Sequence, residues 1–157
     1  MSRIIYHSPF SDFLLLSSGS ALTACTRVTD ADPACADGAD SVLEEAVRQL
    51  DEYFGGRRDS FSLPLEYRGS DFFCDIWNSL RSVRAGQTVT YSQLAAMAGH
   101  PGAQRAAGSA MRANSLLLFI PCHRVVAAHS VGGFSAGLDL KTALLEFEKE
   151  AYGENRT

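Results

Sequence analysis

Residues 90–113 read TYSQLAAMAGHPGAQRAAGSAMRA and decide the fold of the second half of the chain. The first ten residues predict a short helix, with Thr90 as its N-cap and Gly99 just past its end. The run HPG at 100–102 predicts a tight turn, and a second helix follows from 103 to about 113. Two short helices joined by a glycine-containing turn are typical of a helix-turn-helix, although any pair of antiparallel helices fits the same pattern.

The second predicted helix carries mostly small residues, whereas a helix that reads base edges carries long side chains. Small residues let a helix backbone approach another surface very closely. Arg105 and Arg112 lie seven residues apart, two turns along one face. We infer close, shape-based docking in a minor groove, with an arginine that inserts between bases. The alternative is that this alanine-rich helix packs tightly into the core.

Downstream, the run IPCHRVV at 120–126 ends an apolar stretch, residues 116–120, that predicts a strand. Cys122 is followed by His123 and Arg124, which are able to stabilise a thiolate or relay its proton. A free thiol has a pKa near ~8.5, so little of it is ionised at neutral pH without such help. The alternative is a structural cysteine in a core strand, because free cysteine is among the most buried residue types.

Upstream, the first half combines strands with one helix. Residues 3–7 and 12–29 predict strands, with turn signals at 17–20, and residues 30–40 predict a loop. A helix is expected from 41 to about 54, capped by Asp40 or Ser41, with Glu44 at capping-box spacing from Ser41.

The stretch that leads into the second half continues this pattern. Gly55 and Gly56 stop the first helix, residues 61–67 predict a short strand interrupted by Pro64, and residues 72–83 predict another helix. The order predicts an α+β fold: a small α+β domain that ends near Arg68, followed by a helical domain.

The composition of the chain is that of an ordinary globular protein. Its 157 residues are 46% hydrophobic and 20% charged, with no apolar run near the ~20 residues that span a bilayer. The N-terminus lacks the apolar core of a signal peptide, and the four cysteines are scattered without CxxC spacing. These features predict a cytoplasmic protein with reduced thiols and no membrane association.

Charge is distributed unevenly along the chain. The net charge is −4, yet residues 76–138 contain no Asp or Glu and carry five arginines. This asymmetry permits a phosphate-binding face on an acidic protein. The alternative is that these arginines lie around the edge of a hydrophobic core and bind no phosphate.

Taken in order, these motifs resemble the O6-alkylguanine-DNA alkyltransferases, also called methylated-DNA–protein-cysteine methyltransferases. The run PCHRV at 121–125 carries most of the likeness, which extends from about Tyr53 to Glu148. The resemblance implies a ribonuclease-H-like α+β domain at 1–68 that acts as a scaffold. It implies a helical, winged-helix-like domain at 69–157 that binds DNA and accepts the alkyl group.

The resemblance also implies a reaction and the residues that carry it out. A guanine alkylated at O6, or a thymine alkylated at O4, flips out of the duplex and gives its alkyl group irreversibly to Cys122. Glu148 orients His123, which deprotonates Cys122 through a water; Tyr91 assists the leaving base and Asn114 braces the active-site turn. The DNA-binding set is Arg105, Tyr91, Gln104, Ala106, Gly108 and Arg112. The pocket set is Val125, Phe134, Ser135 and Leu117.

No cofactor or metal is expected, and the partner is double-stranded DNA bound through its minor groove by a monomer. The chain departs from the family pattern at Ser115 and Leu117, which replace prolines, and at Phe73 and Phe134. These changes bear on the range of adducts accepted. The competing hypotheses are a non-catalytic lesion-recognition protein, which the presence of Cys122 disfavours, and a cysteine hydrolase, which leaves the helix-turn-helix unexplained.

Overall fold

The computed structural model describes residues 2–29 and 38–153, which form two compact units. The first unit contains the chain up to Tyr67 together with Ser115–Leu117, and the second contains Arg68–Asn114 and the chain from Leu118 onward. The mixture of helices and strands confirms the predicted α+β class. Most of the predicted loop at 30–40 lies outside the described residues.

The first unit is built on a three-stranded antiparallel sheet, ordered β1 (Ser2–His7), β2 (Asp12–Ser17) and β3 (Leu22–Arg27). Side chains alternate across a strand, which buries every second residue of β2 on one face. Helix α1 (Ser41–Phe54) packs against the sheet. The contact uses one helical stripe of fully buried residues: Leu43, Ala46, Leu50 and Tyr53.

In the first unit the predicted strand at 61–67 and the predicted capping box of α1 are wrong, whereas Asp40, one of the two expected N-caps, is confirmed. Residues 61–67 form no strand; Leu65 alone bridges to Leu22, since Pro64 has no N–H with which to extend the ladder. The N-cap of α1 is Asp40, whose carboxylate accepts a hydrogen bond from the Leu43 N–H at 2.9 Å. Ser41 is therefore the first helical residue and does not form the expected capping box.

The second unit contains helices α2 (Asp71–Leu80), α3 (Tyr91–Met97), α4 (Gln104–Arg112) and α5 (Leu138–Tyr152). Helix α2 ends three residues before the predicted limit, because Ser82 and Val83 donate to the carbonyls three residues back and tighten the turn. Strands β4 (Val89–Thr90) and β5 (Val125–Val126) pair in parallel, a contact that the sequence did not predict.

The predicted helix-turn-helix is confirmed as α3, a turn and α4. Gly99 and Gly102 both have φ of 85°, a backbone conformation that favours glycine, so the turn depends on them. One face of α4 buries Ala107 and Ala110, and Trp77 Nε1 donates to the Ala110 carbonyl at 2.9 Å. The core-packing interpretation therefore holds for this face, and the residues on the opposite face are exposed.

The start of α3 is fixed by a capping box. Thr90 accepts from the Gln93 N–H at 3.1 Å, and the Gln93 side chain accepts from the Thr90 N–H at 2.8 Å. We expect Thr90→Ala to lower the free energy of unfolding by about 1 kcal/mol, the usual cost of losing such a cap. Chemical denaturation measures the change, with the exposed Thr88→Ala as control. Equal stability of both variants would mean that the box contributes nothing.

Within the described residues, no helix combines the length and the apolar character needed to cross a membrane.

Candidate active site

Cys122 opens a short 3₁₀ helix, Cys122–Arg124, and its side chain is buried. The strand predicted for 116–120 is wrong: the chain turns here, and Leu118 adopts φ of 72°. Asn114 stabilises these turns, because its Nδ2 donates to the Ile120 carbonyl at 2.8 Å and lies 3.2 Å from Cys122 Sγ.

The environment of the Cys122 thiol keeps it protonated. Burial raises the pKa of Cys122 to about 11, while the hydrogen bond from Asn114 and the positive charge of Lys141 act in the opposite direction. Almost no thiolate therefore exists at neutral pH in the resting protein. A nucleophile in this setting needs a base that removes its proton during the reaction.

His123, Glu148 and Arg124 form a buried cluster. His123 Nε2 lies 2.6 Å from Glu148 Oε2, and Arg124 binds both Glu148 oxygens at 2.8 and 2.9 Å. Arg124 also donates to the Val83 carbonyl at 2.7 Å. The suggestion that Arg124 stabilises the thiolate is wrong, because its guanidinium is bound to Glu148 and Val83.

The charges in this cluster determine the state of the histidine. Burial raises the pKa of Glu148, but His123 and Arg124 outweigh it and hold that carboxyl well below its usual range. Burial lowers the pKa of His123, and Glu148 offsets this only in part. His123 is therefore neutral at pH 7, donates Nε2–H to the carboxylate, and keeps Nδ1 unprotonated as an acceptor.

The Cys122 side chain lines a cavity of about 280 Å³. Phe134 and Ser135 line it, as expected, whereas Val125 and Leu117 do not. Val125 is fully buried, and its carbonyl accepts from Lys141 at 2.7 Å. Leu117 belongs to the first unit, where its N–H donates to the Cys25 carbonyl. The remaining lining residues are Tyr91, Gly108, Met111, Arg112 and Gly133.

Tyr91, the first residue of α3, packs against the glycines of the loop before Phe134. A Cβ on Gly132 would lie 3.2 Å from Tyr91 Oη, and its φ of 81° also favours glycine. Burial raises the pKa of Tyr91, and a hydrogen bond from the Gly133 backbone partly offsets this. The hydroxyl is therefore protonated and able to donate to a molecule in the cavity.

The exposed face of α4 adjoins this cavity. Gln104, Arg105 and Ala106 are exposed, and Arg112 Nη2 donates to Ser109 Oγ at 3.0 Å. An open depression lies along this face, lined by Tyr91, Gln104, Arg105, Gly108, Ser109 and Arg112. Three of its residues, Tyr91, Gly108 and Arg112, also line the Cys122 cavity. The structure thus brings the predicted DNA-binding residues to the edge of the cavity, apart from Ala106, which lies on the same helix.

Sequence reasoning assigned no role to Lys141, although it lies beside the site. Its ammonium donates to the carbonyls of Val125 and Gly133 at 2.7 and 2.9 Å. The sequence did contain a signal for the burial of Lys141. Lys141, Leu144 and Glu148 are spaced by three and four residues and so share one helical face. Two charged residues on an otherwise apolar helical face indicate that their charged groups bind polar partners inside the protein.

No group of three or more His, Cys, Asp or Glu side chains within 2–29 and 38–153 is arranged to hold a metal ion. Asp30, Asp32 and Cys35 lie outside those ranges.

Comparison with known proteins links both halves of the chain to one family. Residues 1–67 match the ribonuclease-like domain of 6-O-methylguanine DNA methyltransferase, and residues 71–150 match the DNA-binding domain of the same protein. The inducible methylated-DNA–protein-cysteine methyltransferase of Bacillus subtilis (strain 168) is 40% identical over 73% of this chain, a match spanning 65% of the relative's length.

Two mycobacterial proteins match over nearly the whole chain. The methylated-DNA–protein-cysteine methyltransferase of Mycobacterium leprae is 36% identical over 90% of this chain and 88% of its own. A crystal structure of Mycobacterium tuberculosis OGT in complex with DNA superposes with a TM-score of 0.84 at 33% identity, covering 96% of this chain and 94% of that one. Because both family models match and the Mycobacterium leprae relative is 36% identical over 90% of the chain, the chain belongs to the 6-O-methylguanine DNA methyltransferase family.

Proposed function

We propose that this chain repairs DNA by moving an alkyl group, typically methyl, from O6 of guanine or O4 of thymine to Sγ of Cys122. The observation that carries the proposal is the buried thiol in a cavity whose lining residues continue onto the exposed face of α4. The volume of about 280 Å³ suits one small planar molecule, near the lower limit of ligand pockets. A base that has left its duplex is such a molecule.

The approach of DNA follows from the exposed face of α4. The small residues Ala106 and Gly108 let the helix backbone come close to the minor groove, while Gln104 and Arg112 bind the DNA strand beside the lesion. Arg105 enters the stack and fills the space that the flipped base leaves. Tyr91 lines both the depression and the cavity, so it directs the nucleotide from one into the other.

The chemical step is a single displacement. The Cys122 proton moves through a water to Nδ1 of His123, which Glu148 orients through Nε2. The thiolate attacks the alkyl carbon, the S–C bond forms, and the C–O bond breaks with its electrons passing to the base. Tyr91 donates a proton to the leaving guanine, and Ser135 hydrogen-bonds the base. The thioether does not hydrolyse, so each molecule reacts once and needs no cofactor.

The two halves have separate roles in this proposal. Residues 69–157 bind DNA and accept the alkyl group, and residues 1–68 act as their scaffold. The protein works as a monomer in the cytoplasm, where reducing conditions keep Cys122 available for reaction.

Intact-protein and peptide mass spectrometry after mixing with duplex DNA that contains O6-methylguanine tests the proposal. We expect a gain of one methyl group on the peptide that holds Cys122, complete at one equivalent of lesion. Cys122→Ser should show no gain, whereas Cys74→Ser, which changes a half-buried cysteine outside the cavity lining, should react normally.

The other outcomes identify the competing functions. Tight binding of the lesion without a mass gain contradicts the transfer reaction and indicates a lesion-recognition protein. Repeated turnover of a thioester or peptide substrate indicates a cysteine hydrolase.

A further inference from the structure

A short segment ahead of the nucleophile adds to the sheet of the first unit. The Cys25 N–H, in β3, donates to the Ser115 carbonyl at 2.8 Å, and the Leu117 N–H donates to the Cys25 carbonyl at 2.9 Å. Leu116 is the parallel partner of Cys25, and a residue that bonds both neighbours of its partner is the pattern of a parallel ladder. Residues 115–117 therefore act as a minimal extra strand on the edge of β3, within the first unit.

The burial of this segment makes its two backbone hydrogen bonds hard to replace. Cys25 and Leu116 have no exposed surface, and Leu117 is 6% exposed. A buried N–H or carbonyl that loses its partner is unfavourable, so nearly all such groups are paired in folded proteins. The two hydrogen bonds therefore fix the backbone of residues 115–117 against β3.

Peptide bonds connect this segment directly to the active-site turn. Asn114 precedes it, and the Asn114 amide donates to the Ile120 carbonyl at 2.8 Å and lies 3.2 Å from Cys122 Sγ. Leu118 follows it, with φ of 72°, at the turn that leads to Cys122. A shift of residues 115–117 would therefore move the amide that contacts the nucleophile.

The Leu117 N–H is the part of this arrangement that depends on residue type. Positions 115 and 117 are the two at which this chain lacks the prolines of the family pattern. Proline has no N–H, so a proline at 117 would leave the Cys25 carbonyl without this donor. A proline at 115 would keep the carbonyl that accepts from Cys25, so the two positions are not equivalent.

We propose that Leu117 is a positioning residue, whose backbone N–H fixes the start of the active-site turn against β3 and so holds the Asn114 amide beside Cys122. The inference rests on the proposed function for its role in methyl transfer, but the hydrogen bond itself is measurable without DNA. The Leu117 side chain has no such role by contact, because it does not line the Cys122 cavity.

Amide hydrogen exchange, resolved by NMR, tests the hydrogen bond in the unaltered protein. We expect the amides of Cys25 and Leu117 to exchange as slowly as those of β2, the central strand of the sheet. A Leu117 amide that exchanges at the rate of an unprotected peptide overturns the proposal, whatever the variants do.

Four altered proteins separate the N–H from the side chain. Leu117→Pro and the α-hydroxy analogue of leucine at position 117 both remove the N–H, and the analogue keeps the side chain and the freedom of the backbone. Ser115→Pro and Leu117→Ile both keep the hydrogen bonds with Cys25. The analogue keeps the test decisive if Leu117→Pro fails to fold.

Single-turnover methyl transfer at increasing DNA concentration gives the limiting rate and the half-saturating concentration separately. Removing the N–H should lower the limiting rate roughly tenfold, because a small displacement of a reacting group slows its reaction. The half-saturating concentration should stay constant, because the exposed residues of α4 are untouched. Ser115→Pro and Leu117→Ile should match the unaltered protein in both values. An unchanged limiting rate in the analogue protein overturns the proposal, and so does an equal change in both values.

Iodoacetamide labelling of Cys122 provides a readout that does not involve DNA. Loss of the N–H should loosen the turn and expose the buried thiol, so labelling should become several-fold faster in the two proteins that lack it. Equal labelling of all four altered proteins and the unaltered one overturns the proposal. Should the unaltered protein transfer no methyl group, that result contradicts the proposed function alone, and exchange and labelling still decide whether the Leu117 N–H fixes the turn.

Discussion

Glu148→Gln is expected to lower the free energy of unfolding by about 3–5 kcal/mol, the range seen when one partner of a buried ion pair is removed. The carboxylate accepts from Arg124 through both oxygens and from His123 through one. An amide has only one acceptor oxygen, so its NH₂ group would face these donors and leave the Arg124 charge uncompensated. Urea unfolding measures the loss, and Glu146→Gln, an exposed change on the same helix, should cost little.

The pH dependence of this loss provides a second check. The folded state lowers the pKa of Glu148, so the carboxylate contributes stability above the unfolded-state pKa of about 4.3. That contribution disappears as the pH falls from there toward the folded-state pKa. The stability difference between the unaltered protein and Glu148→Gln should therefore be full at pH 7 and shrink below about pH 4. A difference that stays constant into acid would mean that lost packing, not lost charge, causes the destabilisation.

The helices of the second unit were predictable because their signals are local. The Thr90 cap and the glycines at 99 and 102 act on residues within four positions of themselves, so the sequence alone indicates where α3 begins and where the turn falls. The strand predicted at 116–120 failed for the opposite reason. Its apolar residues are buried as a strand would require, but Leu118 adopts a left-handed conformation that no periodicity reveals.

In the candidate site, too, the features that are local in sequence were predictable, and the contacts between distant residues were not. The run at 121–125 predicts Cys122 as the nucleophile, and the family resemblance predicts that Glu148 is the partner of His123. Proximity in sequence suggested that Arg124 stabilises the Cys122 thiolate. In the structure its guanidinium instead donates to the carbonyl of Val83, 41 residues away. The hydrogen bonds of Lys141 likewise depend on how the loop at Gly133 folds back on α5. Contacts of this kind are set by tertiary packing, which a single sequence does not display.

Arg105→Ala is expected to slow methyl transfer from duplex DNA roughly 100-fold while leaving the protein folded. Arg105 is exposed on α4, so its truncation costs little stability. Under the proposed function its side chain offsets the unstacking of the flipped base, a cost of a few kcal/mol, and about 1.4 kcal/mol corresponds to a tenfold change in rate. Single-turnover transfer to Cys122, followed by mass spectrometry, measures the effect.

Three controls distinguish base flipping from general loss of charge. Arg84→Ala removes an exposed arginine outside α4 and should change the rate little. Iodoacetamide labelling of Cys122 in Arg105→Ala should match the unaltered protein, because the cavity itself is intact. A lesion placed opposite an abasic site is already unpaired and easier to extrude, so the variant should recover much of its rate on that substrate. An equal loss on paired and unpaired lesions would show that Arg105 contributes DNA affinity alone and does not enter the stack.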